Sequence, residues 1–501
     1  MDCSCSRSNN DEVNLVPLND TDASSYETIR HVSKQTRQRA SDSYTVEDVV
    51  NAGGFGKFQW KLTFMSCFAW MAESCEIMIL SLLGGFLACE WKITSVQEAL
   101  LTSMVFLGMG IGCPILGKMT DTYGRIKVVR VSTVILVICG ILTVFSPSIT
   151  WMIVFRWSCG FLIPGVNGIM VLFMEYLPTK LRGKCTLFLY GFWGVGSIVI
   201  TLTAMAVMTT KNSWRVVLFI SVTPLIIFLI LSKWCPESAR YMLAHGKIKE
   251  AEDTIIKMAE ENGLSRPAGK LQNSSNTTQR KSIICLFKDE NTVFFCLIFL
   301  WFFLTFVYYG IVLLTPEVIL HGGLPIKTSQ PANLTVPEYY MPCKPLLLSD
   351  YISLLLTTAA EILGVFFAWL LVEILGRRKL MFTFSFFYSA SVMMLLIDKV
   401  PAAIPCILLF IARGSISGCF GVCVLYTNEA YPTTHRALAY GFYLIFGRFG
   451  TVVTPLVAQV LLESVPKATV VIYSVLALFA GIATFVLPLD KKGQELEDQY
   501  K

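Results

Sequence analysis

Charged side chains interrupt several long apolar stretches of this sequence. Glu73 and Glu76 lie three residues apart in one stretch and would share a face of a helix. A charge at the centre of a bilayer costs about 2.5–3.5 kcal/mol even on lenient insertion scales, so such residues usually face an internal cavity. Two carboxylates this close disfavour each other's ionisation and could bind a proton or a cationic group. Other apolar stretches contain Glu361, Arg156, Arg413 and Arg448.

This mixture of acids and bases has two interpretations. The charges could line a solute-binding or proton-coupling cavity, or they could form static Glu–Arg pairs. Trp193, Tyr308 and Tyr309 offer aromatic faces and hydroxyl groups to a ligand, but each could equally be a packing residue. The charge of a substrate does not follow, because paired acids favour a cation whereas Arg413 and Arg448 favour an anion or a zwitterion.

A second group of charged residues occurs twice, about 254 residues apart. Each copy contains Glu-x-x-Pro-Thr-x-x-Arg, and a Gly-Arg-x-Lys turn precedes it at nearly the same offset. Ordered matches at one offset indicate an internal duplication. The corresponding residues are Glu175 and Arg182 with Glu429 and Arg436; Asp121, Gly124 and Arg125 with Glu373, Gly376 and Arg377; and Arg156 with Arg413.

Composition predicts that these residues belong to a membrane protein. Of 501 residues, 54% are hydrophobic and only 15% are charged, whereas soluble domains carry about 25% charged residues. About twelve apolar segments are long enough to cross a hydrocarbon core of about 30 Å. They are predicted at 62–88, 98–118, 127–146, 151–175, 185–209, 214–234, 292–320, 350–372, 380–398, 402–427, 437–461 and 468–488.

Lysine and arginine are concentrated in one set of the loops between these segments. That set includes 118–130, 180–184, the linker at 235–290 and 377–379. Because cytosolic loops are enriched in Lys and Arg, it is predicted to be cytosolic, and an even number of spans places both termini there. The predicted organisation is an N-terminal tail at 1–57, a six-helix bundle at 58–234, the linker, a second six-helix bundle at 291–488 and a C-terminal tail at 489–501.

The opposite loops carry two features expected of a lumenal or exterior side. Cys89 and Cys343 both lie there and could form a disulfide in an oxidising compartment. Asn333 begins an Asn-Leu-Thr sequon in the loop at 321–349 and is the predicted glycosylation site.

Catalytic patterns are missing from the sequence. It has no nucleophile elbow and no nucleotide-binding loop, and none of its four histidines lies in the middle of an apolar segment. Its sixteen cysteines lie mostly in apolar runs, without zinc-ligand spacing. We therefore predict neither an enzyme nor a cofactor or metal site. The net charge of +6 is attributed to cytosolic loops rather than to nucleic-acid binding.

Several stretches resemble the major facilitator superfamily, specifically its sugar-porter-like branch, which includes the synaptic vesicle glycoprotein 2 group. The resemblance covers residues 45–493. Glu373 departs from the usual Asp, and Asn428 and Ala430 flank Glu429 where Pro and Val are usual. The matching stretches are Gly117–Lys127, Pro236–Arg240 and Pro488–Gly493, and, for the synaptic vesicle 2-related subgroup, Gly54–Trp60, Glu76–Leu80 and Tyr308–Gly310.

The resemblance implies an all-α membrane protein with the major-facilitator-type fold: twelve helices in two pseudo-symmetric six-helix bundles. It also implies a secondary transporter that moves a small organic solute across the lipid bilayer by alternating access, and a secretory or synaptic-type vesicle membrane. The plasma membrane is the alternative location. Two rival functions stay open: a regulatory or receptor-like vesicle protein that keeps the fold without transport, and an adaptor that binds vesicle proteins through its tail and linker.

The repeated cytosolic charges are then expected to form a gate that closes in one transport state and opens in the other. Static salt bridges at helix ends are the alternative interpretation. Glu175 is expected to pair with Arg182, and Glu429 with Arg436. The predicted network comprises Asp121, Gly124, Arg125, Glu175, Arg182, Glu237, Arg240, Glu373, Arg377, Glu429 and Arg436.

Overall fold

The computed structural model describes residues 43–210, 213–267, 269–272, 291–324, 343–397, 400–401, 403–431 and 433–487. Side chains at 180, 210, 291 and 433–438 are not among those described. Several predictions therefore lie outside the described residues in whole or in part: the glycosylation site at Asn333, the C-terminal tail at 489–501, the Pro488–Gly493 motif, residues 1–42 of the N-terminal tail, residues 273–290 of the linker and the contacts of the Arg436 side chain.

Within the described residues, twelve membrane spans form two groups of six. The first group is span 1, Lys57–Trp91; span 2, Ser95–Tyr123; span 3, Arg125–Val144; span 4, Ile149–Val166 with Gly168–Glu175; span 5, Arg182–Thr210; and span 6, Trp214–Ser221 with Thr223–Leu231 and Ser232–Trp234. The second is span 7, Asn291–His321; span 8, Leu348–Leu375; span 9, Arg377–Met394; span 10, Ala403–Ala430; span 11, Thr433–Pro455 with Leu456–Leu461 and Leu462–Ser464; and span 12, Pro466–Val486.

Span 9 differs from the rest in charge. Eleven helices in the described part of the chain are long and apolar enough to cross a membrane. Span 9 has 18 residues and begins with Arg377, Arg378 and Lys379, so its charged end dilutes its apolar character. The predicted segment at 380–398 left those cations out, whereas the helix includes them because it begins directly after Gly376.

Two sharp turns repeat the duplication seen in the sequence. A single glycine separates spans 2 and 3, and another separates spans 8 and 9. Gly124 has a φ of 106° and Gly376 a φ of 78°, a region that glycine adopts without a steric penalty. The matching turns place Arg125 and Arg377 at the same position, the first residue of a span, in each half.

The linker and the end of the N-terminal tail pack beneath the first bundle. Strand Ser43–Tyr44 pairs in parallel with Lys270–Leu271, and helix Val46–Gly53 follows it. The linker contains the helices Ala239–Ala244 and Ile248–Glu261. The Asn262 side chain accepts a hydrogen bond from the Phe58 backbone N–H at 3.0 Å, which ties the linker to the start of span 1.

Glycines allow two pairs of spans to pack backbone against backbone. A Cβ on Gly160 of span 4 would overlap the Val105 carbonyl of span 2, and a Cβ on Gly364 of span 8 would overlap the Gly414 carbonyl of span 10. Close approach at small residues is a common basis of helix association in membranes. Spans 2 and 4 correspond to spans 8 and 10 in the duplication, so the repeat extends to helix packing.

Gly364→Ala is expected to lower the free energy of unfolding by about 1–3 kcal/mol, because the added methyl group must push spans 8 and 10 apart. The measurement is the thermal unfolding midpoint of the purified full-length chain. Gly191→Ala is the matched control, since nothing lies within 4 Å of a Cβ at this position in span 5. Equal midpoints for the two variants would contradict the close packing.

Candidate functional site

The six charged residues predicted inside the membrane form three ion pairs. One of these pairs lies within the first half of the molecule, and another lies within the second half. In the first half, Arg156 of span 4 pairs with Glu76 of span 1. The Ser221 hydroxyl of span 6 also donates to Glu76, at 3.4 Å. Arg156 is 2% exposed and Glu76 is 3% exposed, so this pair belongs to the interior of the first bundle.

The second internal pair joins spans 8 and 10. The Arg413 Nε donates to Glu361 Oε1 at 3.1 Å, and the Tyr308 hydroxyl donates to Oε2 at 3.2 Å. Arg413 is fully buried and Glu361 is 2% exposed. Arg413, Glu361 and Tyr308 of the second half therefore contact one another, with Tyr308 as a hydrogen-bond donor. Arg413 Nη1 has no partner among the described residues, and Nη2 also lies 3.8 Å from Met78 Sδ of span 1.

The third pair joins the two halves. The Arg448 guanidinium of span 11 lies 3.7 Å from the Glu73 carboxylate of span 1, measured from Nη2 to Oε1. The Glu73 Oε2 is buried and accepts no hydrogen bond within the described part of the chain. The Tyr309 hydroxyl lies against Arg448, and Asn167 lies beside Glu73. Among ion pairs between described residues, this one alone bridges the bundles.

Aromatic rings surround this central pair. The Trp70 ring contacts Tyr190 and Trp193 with centroid distances of 5.1 and 5.5 Å. The hydroxyls of Tyr190 in span 5 and Tyr440 in span 11 are 3.3 Å apart across the two halves. The buried Trp70 Nε1 donates to none of the described groups. The centre therefore offers aromatic faces and a free donor beside the two charges.

Most of these neighbours were missed by the sequence analysis. One signal was available, since Trp70 lies three residues before Glu73 and so on the same helix face. Asn167 gave none. It occupies the turn between the two helices of span 4, three residues after Pro164, and lines the same small cavity as Glu73.

A small cavity of about 10 Å³ connects the two acids of span 1. Its lining includes Glu73, Glu76 and Asn167. This volume is close to that of a single water molecule. The two carboxylates predicted to share a helix face therefore border one small cavity whose other walls are mostly apolar, although each pairs with a different arginine.

The repeated charges that were predicted to face the cytosol form matching ion pairs in the two halves. Arg125 pairs with Glu175 at 2.8 Å. Arg377 makes two hydrogen bonds of 2.8 Å to Glu429 and also contacts Glu373 at 3.1 Å. We call the membrane face that carries these residues the basic face. The duplicated turns and Glu-x-x-Pro-Thr motifs thus build the same contact twice.

The expected pair between Glu175 and Arg182 is wrong. Glu175, at the end of span 4, meets Arg125 and the Ser238 hydroxyl. The short turn Thr179–Leu181 carries Arg182 past it to the start of span 5. There Arg182 pairs with Glu47 at 3.3 Å, and Arg240 contacts the same carboxylate at 3.4 Å. Glu47 lies in the N-terminal tail, where no site was predicted.

The Glu237 carboxylate accepts hydrogen bonds from backbone N–H groups rather than pairing with a positively charged side chain among the described residues. Its Oε1 accepts from the N–H groups of Arg125 at 2.9 Å and Ile126 at 3.1 Å, so it caps span 3. A Cβ on Gly124 would lie 2.6 Å from the same carboxylate, a further reason for glycine in this turn. Burial raises the pKa of Tyr176, which stays neutral and donates to the Glu237 carbonyl at 2.7 Å.

The predicted gate residues do not join the two halves in this structure. Asp121 is exposed and makes no ion pair with a described residue. The other described ion pairs of the network stay within one half or link it to the tail or linker. At this face the halves meet instead through apolar contacts, where Leu425 packs against Gly183 and Leu187 against Gly421. A gating role of the network stays a prediction.

Glu237→Ala is expected to lower the free energy of unfolding by about 0.5–2 kcal/mol, because span 3 loses the acceptor for two N–H groups at its start. The thermal unfolding midpoint of the purified chain measures this loss of stability. Asp121→Ala is the control, since this exposed acid has no such contact; an equal effect of both variants would refute the capping role.

A disulfide joins the two halves at the other membrane face. Cys89, near the end of span 1, is bonded to Cys343, which precedes span 8, and their Cα atoms lie 4.6 Å apart. The pairing considered from the sequence is confirmed. We call this side the disulfide face.

Two repeated six-helix bundles in one membrane chain are the architecture of secondary transporters of the major-facilitator type. The model of the sugar (and other) transporter family matches residues 28–501, and the chain belongs to this family. The synaptic vesicle 2-related proteins of Xenopus laevis and Rattus norvegicus are 39% and 38% identical to it, over 93% of this chain and 85% of each relative.

The solved structures agree on the fold. A partially occluded inward-open form of the xylose transporter of E. coli superposes with a TM-score of 0.67 at 14% identity, covering 87% of this chain and 99% of that one. The predicted family and the twelve-helix fold are therefore confirmed.

Proposed function

We propose that this protein moves a small organic solute across a membrane by alternating access, with Glu73 and Arg448 at the solute site. The ion pair between these residues carries the proposal, because it bridges the halves while the other two buried pairs do not. When the halves rock apart, the bridge must break, and a bound solute is the natural replacement for each partner.

The three pairs differ in how easily they exchange partners. Breaking a buried pair by removing one partner typically costs about 3–5 kcal/mol, so the pairs inside each bundle are expected to move as fixed parts. The Glu73–Arg448 contact is longer, at 3.7 Å, and the Arg448 side chain is 14% exposed. A cationic group could replace Arg448 beside Glu73, and an anionic group could replace Glu73 beside Arg448. Trp70, Tyr190 and Trp193 would supply apolar faces.

Proton coupling is proposed at the acids of span 1. A water in the cavity that borders Glu73 and Glu76 would connect the bridge between the halves with the Arg156 pair inside the first bundle. A proton could then pass between the two carboxylates when the Arg448 bridge opens.

We propose that the basic face is cytosolic, with both termini there. The enrichment of Lys and Arg supports this orientation. The disulfide supports it independently, because disulfides form in the secretory lumen or outside the cell. The names of the relatives favour a vesicle membrane over the plasma membrane.

The test is solute uptake by the full-length protein in liposomes, with pH gradients imposed in either direction. Pools of organic cations, anions, zwitterions and sugars are screened with the wild type, Glu73→Gln and Glu90→Gln. Glu90 is the control, since it is 41% exposed and pairs with Arg215 rather than across the halves. Gradient-dependent uptake that Glu73→Gln loses and Glu90→Gln keeps is expected. Folded protein with neither uptake nor a stabilising solute would overturn transport and favour the regulatory vesicle protein.

A further inference from the structure

A buried carboxylate lies near the disulfide face, away from the central pair. Glu98 is in the first turn of span 2 and is 5% exposed. Its carboxylate fills the space beside the Gly84 backbone of span 1, where any Cβ would overlap it. Span 1 therefore holds this acid against the interface between the halves.

The second half surrounds Glu98 with more oxygen atoms. Gln459 of span 11 lies beside it, and Glu317 of span 7 and Glu463 of span 11 lie close enough to repel its charge. Within the described part of the chain, two basic side chains lie beside Glu317: the His321 Nδ1 is 4.0 Å from it, and Lys344 also interacts with it. Glu98 itself forms no ion pair with a described residue.

Among the described groups, the Gln459 side chain lacks a hydrogen-bond donor for its buried oxygen. It is 6% exposed, and its Oε1 accepts no hydrogen bond from the described residues. It lies in the widened π-helical segment Leu456–Leu461 that follows Pro455. Ionised carboxylates only accept hydrogen bonds, so none of the three acids can donate to this oxygen. A proton on Glu98 would supply the donor.

The magnitudes favour a proton. Burying an ionised carboxylate without a partner is costly, and two neighbouring acids add to that cost. The positive end of span 2 favours the ionised form, but a helix terminus offsets only a small part of such a cost. A metal ion is disfavoured, because within the described ranges no three His, Cys, Asp or Glu residues are placed to hold one.

We propose that Glu98 and Gln459 form a proton-binding site at the disulfide face, occupied while the two halves are closed there. The protonated carboxyl can donate to Gln459 Oε1 and accept from its amide N–H, so both groups are satisfied. Span 2 and span 11 belong to different halves, so their separation removes Gln459 and lets the proton leave toward that face. The proton is therefore bound when the halves are closed at the disulfide face, whether or not a solute is present.

Infrared difference spectroscopy of the full-length protein in lipid tests this site directly, because a buried carboxylic acid absorbs apart from carboxylates. Spectra are recorded without solute from mildly acidic to alkaline pH. A carboxylic-acid band at neutral pH is expected in the wild type and in Glu90→Gln, but not in Glu98→Gln. In Glu317→Gln the loss of a neighbouring charge should let the proton leave at a lower pH.

Two results would overturn the proposal. One is a band that persists unchanged in Glu98→Gln, provided that this variant keeps the wild-type thermal unfolding profile. The other is no band at Glu98 together with stabilisation by Na⁺, relative to choline, that Glu98→Gln abolishes; this would assign the site to a metal cation. If Glu98→Gln misfolds, Gln459→Leu is measured instead. The role of Gln459 would be refuted if the carboxylic-acid band disappeared at the same pH in Gln459→Leu as in the wild type. Failure to transport any solute would leave these spectra interpretable.

Discussion

Arg413→Met is expected to lower the free energy of unfolding by about 3–5 kcal/mol, because it leaves the Glu361 carboxylate buried without its charged partner. Arg413 is fully buried and Glu361 is 2% exposed, so water cannot replace the lost contact. The Tyr308 hydroxyl remains as a donor, but one hydrogen bond to a charged group contributes only about 1.5–3 kcal/mol and does not replace the lost positive charge.

A second substitution separates the loss of the pair from the loss of packing. Arg413→Met with Glu361→Leu removes both charges and should recover most of the stability, since apolar replacements of whole buried pairs are often neutral. Thermal unfolding of the purified proteins gives both values. Arg215→Met is the control, because the Arg215–Glu90 ion pair is exposed, with side chains that are 40% and 41% accessible. This variant should lower the free energy of unfolding by only about 0–1 kcal/mol. Equal losses in Arg413→Met and Arg215→Met would contradict the structural role.

The sequence was sufficient for the fold because its signals are local and repeated. Apolar length predicted the spans, and the paired motifs predicted two related halves. Gly124 and Gly376 then place Arg125 and Arg377 at equivalent turns. What the motifs could not predict is the partner of each charge. Glu175 and Arg182 are separated by a short turn that sends them to different neighbours, so their proximity in the chain was misleading.

Glu73 and Glu76 show the same limit inside the membrane. Three residues of an α-helix correspond to a rotation of about 300°, which leaves the two side chains about 60° apart. That angle is small enough for one shared cavity but large enough for different partners. Glu76 meets span 4 of its own bundle, whereas Glu73 meets span 11 of the other. A helical pattern gives the face of a residue, but the packing of the spans decides whether that face meets its own bundle or the other half.

Glu98 was missed because it stands at the predicted start of a span, where an acid usually faces water and favours the helix N-terminus. Only the tertiary structure shows that Gly84 and Gln459 enclose it. A charge at a span boundary thus cannot be classified as exposed from the sequence, since the neighbouring spans decide its burial.

Glu73→Gln is expected to reduce solute uptake at least about tenfold, which corresponds to about 1.4 kcal/mol, while the protein stays folded. Its partner Arg448 remains beside the Tyr309 hydroxyl and is 14% exposed, so the stability loss should be well below that of Arg413→Met. Its uptake is compared with that of the protein that carries both Arg413→Met and Glu361→Leu.

The double variant separates the two kinds of buried pair by function. Its missing pair lies within one bundle, so uptake should persist once stability is restored. The Glu73–Arg448 pair lies between the bundles and must exchange with the solute in each cycle, so its loss acts on transport even where folding is intact. Initial uptake rates per folded protein distinguish these outcomes. Uptake retained in Glu73→Gln and lost in the double variant would move the solute site from the interface between the halves to the interior of the second bundle.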